Sequence, residues 1–100
     1  MKILKLVNGK ITLFDAKGSP ISHAFGREIM NAYLNDKEDL IVATNKAGKV
    51  ELLSVKGILT RTIVNTGAVS ARFSGDDIVV ETKAGKTELR SQTGILKRTL

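Results

Sequence analysis

Asp39–Ile63, DLIVATNKAGKVELLSVKGILTRTI, and Asp76–Leu100, DDIVVETKAGKTELRSQTGILKRTL, align without a gap 37 residues apart. Ile41-Val42 meets Ile78-Val79, and Lys46-Ala47-Gly48-Lys49 meets Lys83-Ala84-Gly85-Lys86. Glu51-Leu52 meets Glu88-Leu89, Gly57-Ile58-Leu59 meets Gly94-Ile95-Leu96, and Arg61-Thr62 meets Arg98-Thr99. Self-similarity at a fixed period is the signature of a repeat architecture, in which each copy is one supersecondary unit.

A more diverged copy precedes these two at an offset of 39. Gly9-Lys10 there matches Gly48-Lys49, Leu13 matches Leu52, and Lys17-Gly18 matches Lys56-Gly57. Ahead of each later copy stands one more element, Ile29-Met30-Asn31-Ala32-Tyr33 matching Val69-Ser70-Ala71-Arg72-Phe73. The reading is one domain over residues 1–100, with repeat units 1–27, 28–66 and 67–100.

Apolar blocks of four to six residues, rich in Val, Ile and Thr, alternate with Asn-Gly, Ala-Gly-Lys, Lys-Gly and Ser-Gly-Asp. That is the chemistry of short strands and hairpin turns. No stretch carries helical spacing between caps. The pattern predicts an all-β chain of eleven strands near 2–7, 10–15, 20–25, 28–34, 39–44, 49–54, 58–64, 68–73, 77–82, 86–91 and 95–100. Short connections make consecutive strands antiparallel neighbours, so each full unit is a four-strand meander.

Composition narrows the function classes. One hundred residues bury a thin core. There is no Cys, which excludes disulfides and thiolate metal sites. No apolar run approaches a membrane span, and Met1-Lys2-Ile3-Leu4-Lys5 does not read as a signal peptide. A cytoplasmic protein is the expectation. The net charge of +6 admits nucleic acid, an anionic surface or an acidic protein as partner.

The order strand, Gly/Asp turn, apolar strand, Gly turn, alternating strand, Gly turn, last strand reads VSARF-SGDD-IVVET-KAGK-TELRS-QTG-ILKRTL over Val69–Leu100. This resembles a WD40 repeat, with Phe14-Asp15 standing where that family usually has Trp-Asp. A PQQ-type propeller blade is similar in the same region. The resemblance implies about three β-propeller blades, the first lacking its inner strand, and a non-enzymatic platform for protein partners. Three blades do not close a ring, so completion by oligomerisation, a dimer first, is expected. The seven residues Ile41, Ala43, Val50, Leu52, Leu53, Ile78 and Val80 are read as too apolar to stay in water. A compact β-barrel or sandwich is the alternative architecture. A lectin-like carbohydrate-binding module is the alternative function.

No catalytic, metal or cofactor constellation emerges. Ala-Gly-Lys lacks the spacing and following helix of a phosphate loop. His23 is the only histidine, and Asp36, Glu38, Asp39, Asp76 and Asp77 lack the alternating ligands of a calcium loop. No nucleophile motif surrounds any Ser or Thr. Alternate hairpins of a meander lie at opposite ends, however. One rim should therefore gather Lys10, Arg27, Lys46, Lys49, Lys83 and Lys86, and the other Asp36, Glu38, Asp39, Asp76 and Asp77. The basic rim is the candidate site for a protein or anionic partner. Without aromatics among the lysines, it has no base-stacking platform for nucleic acid.

Overall fold

A computed structural model describes residues 1–100. β1 (Ile3–Val7) and β2 (Lys10–Phe14) form a two-stranded hairpin. β3 (Ile29–Leu34), β4 (Leu40–Asn45), β5 (Val50–Ser54) and β6 (Leu59–Val64) form a four-stranded sheet. β7 (Ala68–Ser74), β8 (Asp77–Thr82), β9 (Thr87–Arg90) and β10 (Leu96–Thr99) form another. Every pairing is antiparallel between neighbours in sequence, and no residue is helical.

Most of the turns share one local device. A short polar residue ends a strand, and its side-chain oxygen accepts backbone N–H bonds from within the turn. Asn45 Oδ1 accepts from Ala47 and Lys49, both at 3.0 Å. Asp15 accepts from Lys17 and Ser19, Ser54 from Lys56 and Ile58, and Ser91 from Thr93 and Ile95. Three residues on, a Gly with positive φ turns the chain back: Gly18, Gly48, Gly57 and Gly94, with Gly85 after Thr82. Asn35 caps the same kind of turn, but Glu38 takes the left-handed position at φ 59°.

The expected strand over 20–25 does not form a ladder. Ile11 exchanges both N–H···O bonds with Phe25, and Phe14 bridges Pro20. Between those bridges β2 advances three residues while the facing segment advances five, so the register cannot hold. Pro20 also lacks the N–H that a ladder needs. The chain thus has ten strands rather than eleven. The register of the inner strands differs from the sequence alignment as well. Ala32 pairs with Ala43 and Leu34 with Ile41, while Ala71 pairs with Val80 and Phe73 with Ile78. Leu34, not Tyr33, is therefore the counterpart of Phe73. Tyr33 is 49% exposed.

The period of two along each strand sends neighbouring residues to opposite faces, and β4 is covered on both. Ile41 and Ala43 pack with Leu53, Ile11, Leu13 and Ile29 between the hairpin and the middle sheet. Val42 packs with Val50, Leu52, Ile63, Ala71, Ile78 and Val80 between the middle and last sheets. This is why Leu40–Thr44 reads as an unbroken apolar run. The seven residues read as too apolar for water all lie inside these two clusters, packed by the chain itself. They add no drive toward self-association.

Thr44 is the polar member of that run. Its hydroxyl is fully buried and has no hydrogen-bond partner. A buried orphan hydroxyl costs about 1 kcal/mol or more. Replacing Thr44 with the isosteric Val should therefore stabilise the protein by about 1 kcal/mol and raise Tm by about 4–8 °C. A calorimetric Tm equal to or below that of the parent would show that the hydroxyl is satisfied after all.

The outer face of the last sheet is finished differently. On the register of β8, Asp77, Val79 and Glu81 point away from the middle sheet. Glu81 pairs with Arg72 at 3.2 Å and Asp77 with Lys97 at 2.9 Å. Arg90 and Glu88 do not contribute to this polar finish. By register they share the face of Ile78 and Val80, turned toward the middle sheet, and they form a half-buried ion pair at 2.9 Å.

Candidate functional site

Backbone hydrogen bonds stitch one end of the three sheets into a continuous rim. Ile29 N–H donates to Gly9 O at 2.9 Å, and Lys46 N–H to Glu28 O at 3.0 Å. One unit further on, Ala68 N–H donates to Gly48 O at 3.0 Å and Lys83 N–H to Gly67 O at 2.8 Å. The turns after β1, β4 and β8 therefore lie beside the connections that enter β3 and β7. A Cβ on Gly48 would stand 2.7 Å from Gly67 N, and one on Gly9 would stand 3.1 Å from Glu28 Cα. The rim closes only because glycine sits at these crossings.

The six expected cations fall into two groups along this rim. Lys10, Arg27 and Lys46 line one groove together with Asn8, Gly9 and Glu28. Lys83 and Lys86 line a second groove with Thr66, Glu88 and Arg90. Lys49 lies between them, but its ammonium is 3.8 Å from the Glu51 carboxylate. Lys10, Arg27, Lys46, Lys83 and Lys86 are exposed and form no ion pair. Lys46 and Lys83 owe their exposure to the turn itself, since each follows the residue that caps it. Glu28, at φ 52°, is an acid within the first groove that the sequence reading did not place there.

The opposite rim is mixed rather than purely acidic. Asn35, Asp39, Asp76 and Asp77 line a depression that also contains Lys37. Asp77 is held by Lys97, Asp39 accepts a bond from Asn35 Nδ2, and Glu38 turns toward the chain start to accept from Lys2 N–H at 3.0 Å. Unpaired cations are thus concentrated on the rim of the lysines, where Glu28 is the one unpaired acid. His23 is exposed on the irregular segment after Pro20, and Phe73 is a packing residue of the core.

The last contact of each kind is left open at the two ends of the array. Gly57 lies against the Phe25 ring and Gly94 against the Ile63 backbone, whereas nothing lies against their counterpart Gly18. Gly9 and Gly48 meet the following unit, whereas nothing lies against Gly85. Ile63 is 4% exposed, and Leu100, its counterpart one repeat later, is 66% exposed.

Among solved structures, the C-terminal WD40 domain of Sif2 is similar over 93% of this chain, with a TM-score of 0.65 and 16% identity. The chain spans 31% of that domain's chain. No protein-family model matches the sequence, and no curated protein matches it. The fold is that of WD40-like propeller blades: all-β, with antiparallel four-strand sheets, and with no helix long and apolar enough to cross a membrane.

Proposed function

We propose that this chain is a non-enzymatic binding module that engages an acidic segment of a protein partner through its basic rim. The observation that carries this reading is the set of five unpaired cations, Lys10, Arg27, Lys46, Lys83 and Lys86, held at one end by the stitched turns. A net excess of positive charge along one edge raises the local concentration of an acidic partner. The propeller resemblance adds support by analogy, since such rings serve mainly as platforms for proteins. Neither rim groove contains an aromatic residue, which favours an acidic protein over stacked bases or a sugar ring. Poly-glutamate is the probe. Its affinity should fall steeply between low and physiological salt, because the Debye length shrinks to about 8 Å there. Affinity that ignores salt would overturn the reading.

Ring completion by a second copy is part of the same proposal. Its support is the pair of open contacts at Gly18 and Gly85. Two copies joined head to tail would present six units under a two-fold axis. Light scattering should then report about twice the 10.8 kDa chain mass. A single-chain mass across concentrations would overturn it.

A further inference from the structure

Three residues other than glycine have positive φ: Asn8, Glu28 and Glu38. A side chain is strained in that left-handed region, and such strain persists where something else requires it. Two of the three have an evident reason. Asn8 opens the Asn-Gly turn between β1 and β2, whose two central residues must both be left-handed. Glu38 gives its carboxylate to Lys2 N–H at 3.0 Å. Glu28 is exposed and pairs with no cation. Its counterpart one unit later is Gly67. Glu28 O accepts from Lys46 N–H as Gly67 O accepts from Lys83 N–H, and Ile29 N–H donates to Gly9 O as Ala68 N–H donates to Gly48 O. The rim crossing thus suits a glycine, and in the other unit it has one, at φ 87°.

What Glu28 does there follows from its neighbours. Its backbone lies between two lysine turns. On one side, a Cβ on Gly9 would stand 3.1 Å from Glu28 Cα, and Lys10 follows Gly9. On the other, Lys46 N–H donates to Glu28 O at 3.0 Å. Lys10, Glu28 and Lys46 therefore succeed one another along the rim as plus, minus, plus, and they line one groove together with Arg27. At the next crossing the same three places hold Lys49, Gly67 and Lys83, with no acid in the middle.

We infer that the acidic segment bound by the basic rim is mixed in charge: a lysine or arginine of that segment sits on Glu28, with an acid on either side of it for Lys10 and Lys46. The inference rests on the rim reading and names the partner's chemistry more closely. A minus-plus-minus segment meets an opposite charge at each place. A uniformly acidic one sets carboxylate against carboxylate at Glu28, the kind of mismatch that fixes register and rejects wrong partners. A nucleic-acid strand offers no cation at all, so the same residue opposes it.

The probes are an oligo-glutamate peptide and the same peptide with a central lysine, each titrated at low salt. Glu28→Gln removes the charge and keeps the shape. It should weaken the lysine peptide by about threefold or more and tighten the all-glutamate peptide by about twofold. Acetylating the peptide's lysine should abolish the weakening, because the charge that Glu28 meets is gone. Glu28→Gly should weaken the lysine peptide as Gln does and leave Tm unchanged or higher, since glycine takes the left-handed position without strain. Two results would overturn the inference. One is a shift of both peptides in the same direction, or of neither, on Glu28→Gln. The other is a Tm loss of more than a few degrees in Glu28→Gly, which would give Glu28 a part in the fold instead. Failure of both peptides to bind the parent protein would end the rim reading itself, and this inference with it.

Discussion

Gly48→Ala should lower stability by about 3 kcal/mol or more, whereas Gly85→Ala, one repeat later, should cost only about 1–2 kcal/mol. Both residues have nearly the same backbone, at φ 82° and 83°. Both substitutions therefore carry the same left-handed strain. They differ in what the new methyl group meets. At Gly48 it stands 2.7 Å from Gly67 N and 3.0 Å from Ala68 N, both backbone atoms tied into the rim. At Gly85 it meets nothing within 4 Å. Small domains have about 5–15 kcal/mol in total, so the first change consumes a large share of the margin. In thermal unfolding, Gly48→Ala should fall by more than about 12 °C and Gly85→Ala by about half that or less. Equal losses would mean that the middle and last units do not approach as described.

The second large effect is on binding. Replacing Lys10, Lys46, Lys83 and Lys86 together with Glu changes the net charge from +6 by eight, to −2. All four side chains are exposed and unpaired, so the fold should keep its Tm within a few degrees. Poly-glutamate binding should be lost entirely, because attraction becomes repulsion at every contact. Lys49 is left out of the set on purpose. Its pairing with Glu51 would make a reversal there a test of stability as well as of binding. Undiminished affinity in the fourfold variant would place the anion site elsewhere on the molecule.

Much of this architecture is legible in the residues. The gapless match of Asp39–Ile63 to Asp76–Leu100 marks the repeat, and Gly spacing marks the hairpins, so eight of the nine connections between strands fall where the pattern expects them. The failure at 20–25 is physical. A lone apolar-polar alternation looks like a strand, but Pro20 and two surplus residues prevent a ladder, and only tertiary bridges to Ile11 and Phe14 reveal that. The apolar run Leu40–Thr44 signals burial without saying which layer covers which face. Read alone it argues for an unfilled surface, whereas the hairpin and the last sheet cover both sides. The rim is legible for a simpler reason. Successive turns of a meander must alternate ends, and the lysines sit in the turns. Glu28 was not legible there, since it lies at a unit junction whose position depends on the bond from Lys46 N–H to its carbonyl. The capping residues Asp15, Asn45, Ser54 and Ser91 were visible as a polar residue three before each Gly, a spacing that gains meaning only once the bonds are seen.

The central claim is that a partner meets this protein at the rim where the lysine turns gather. Mapping amide chemical shifts during a poly-glutamate titration tests it most directly. The account predicts that the amides moving first and furthest belong to Asn8–Lys10, Gly26–Glu28, Lys46–Lys49, Thr66–Gly67 and Lys83–Lys86, with the turns at Asn35–Asp39 and Gly75–Asp76 unmoved. Shifts concentrated at the Asn35–Asp39 end, or spread evenly over both rims, would contradict it.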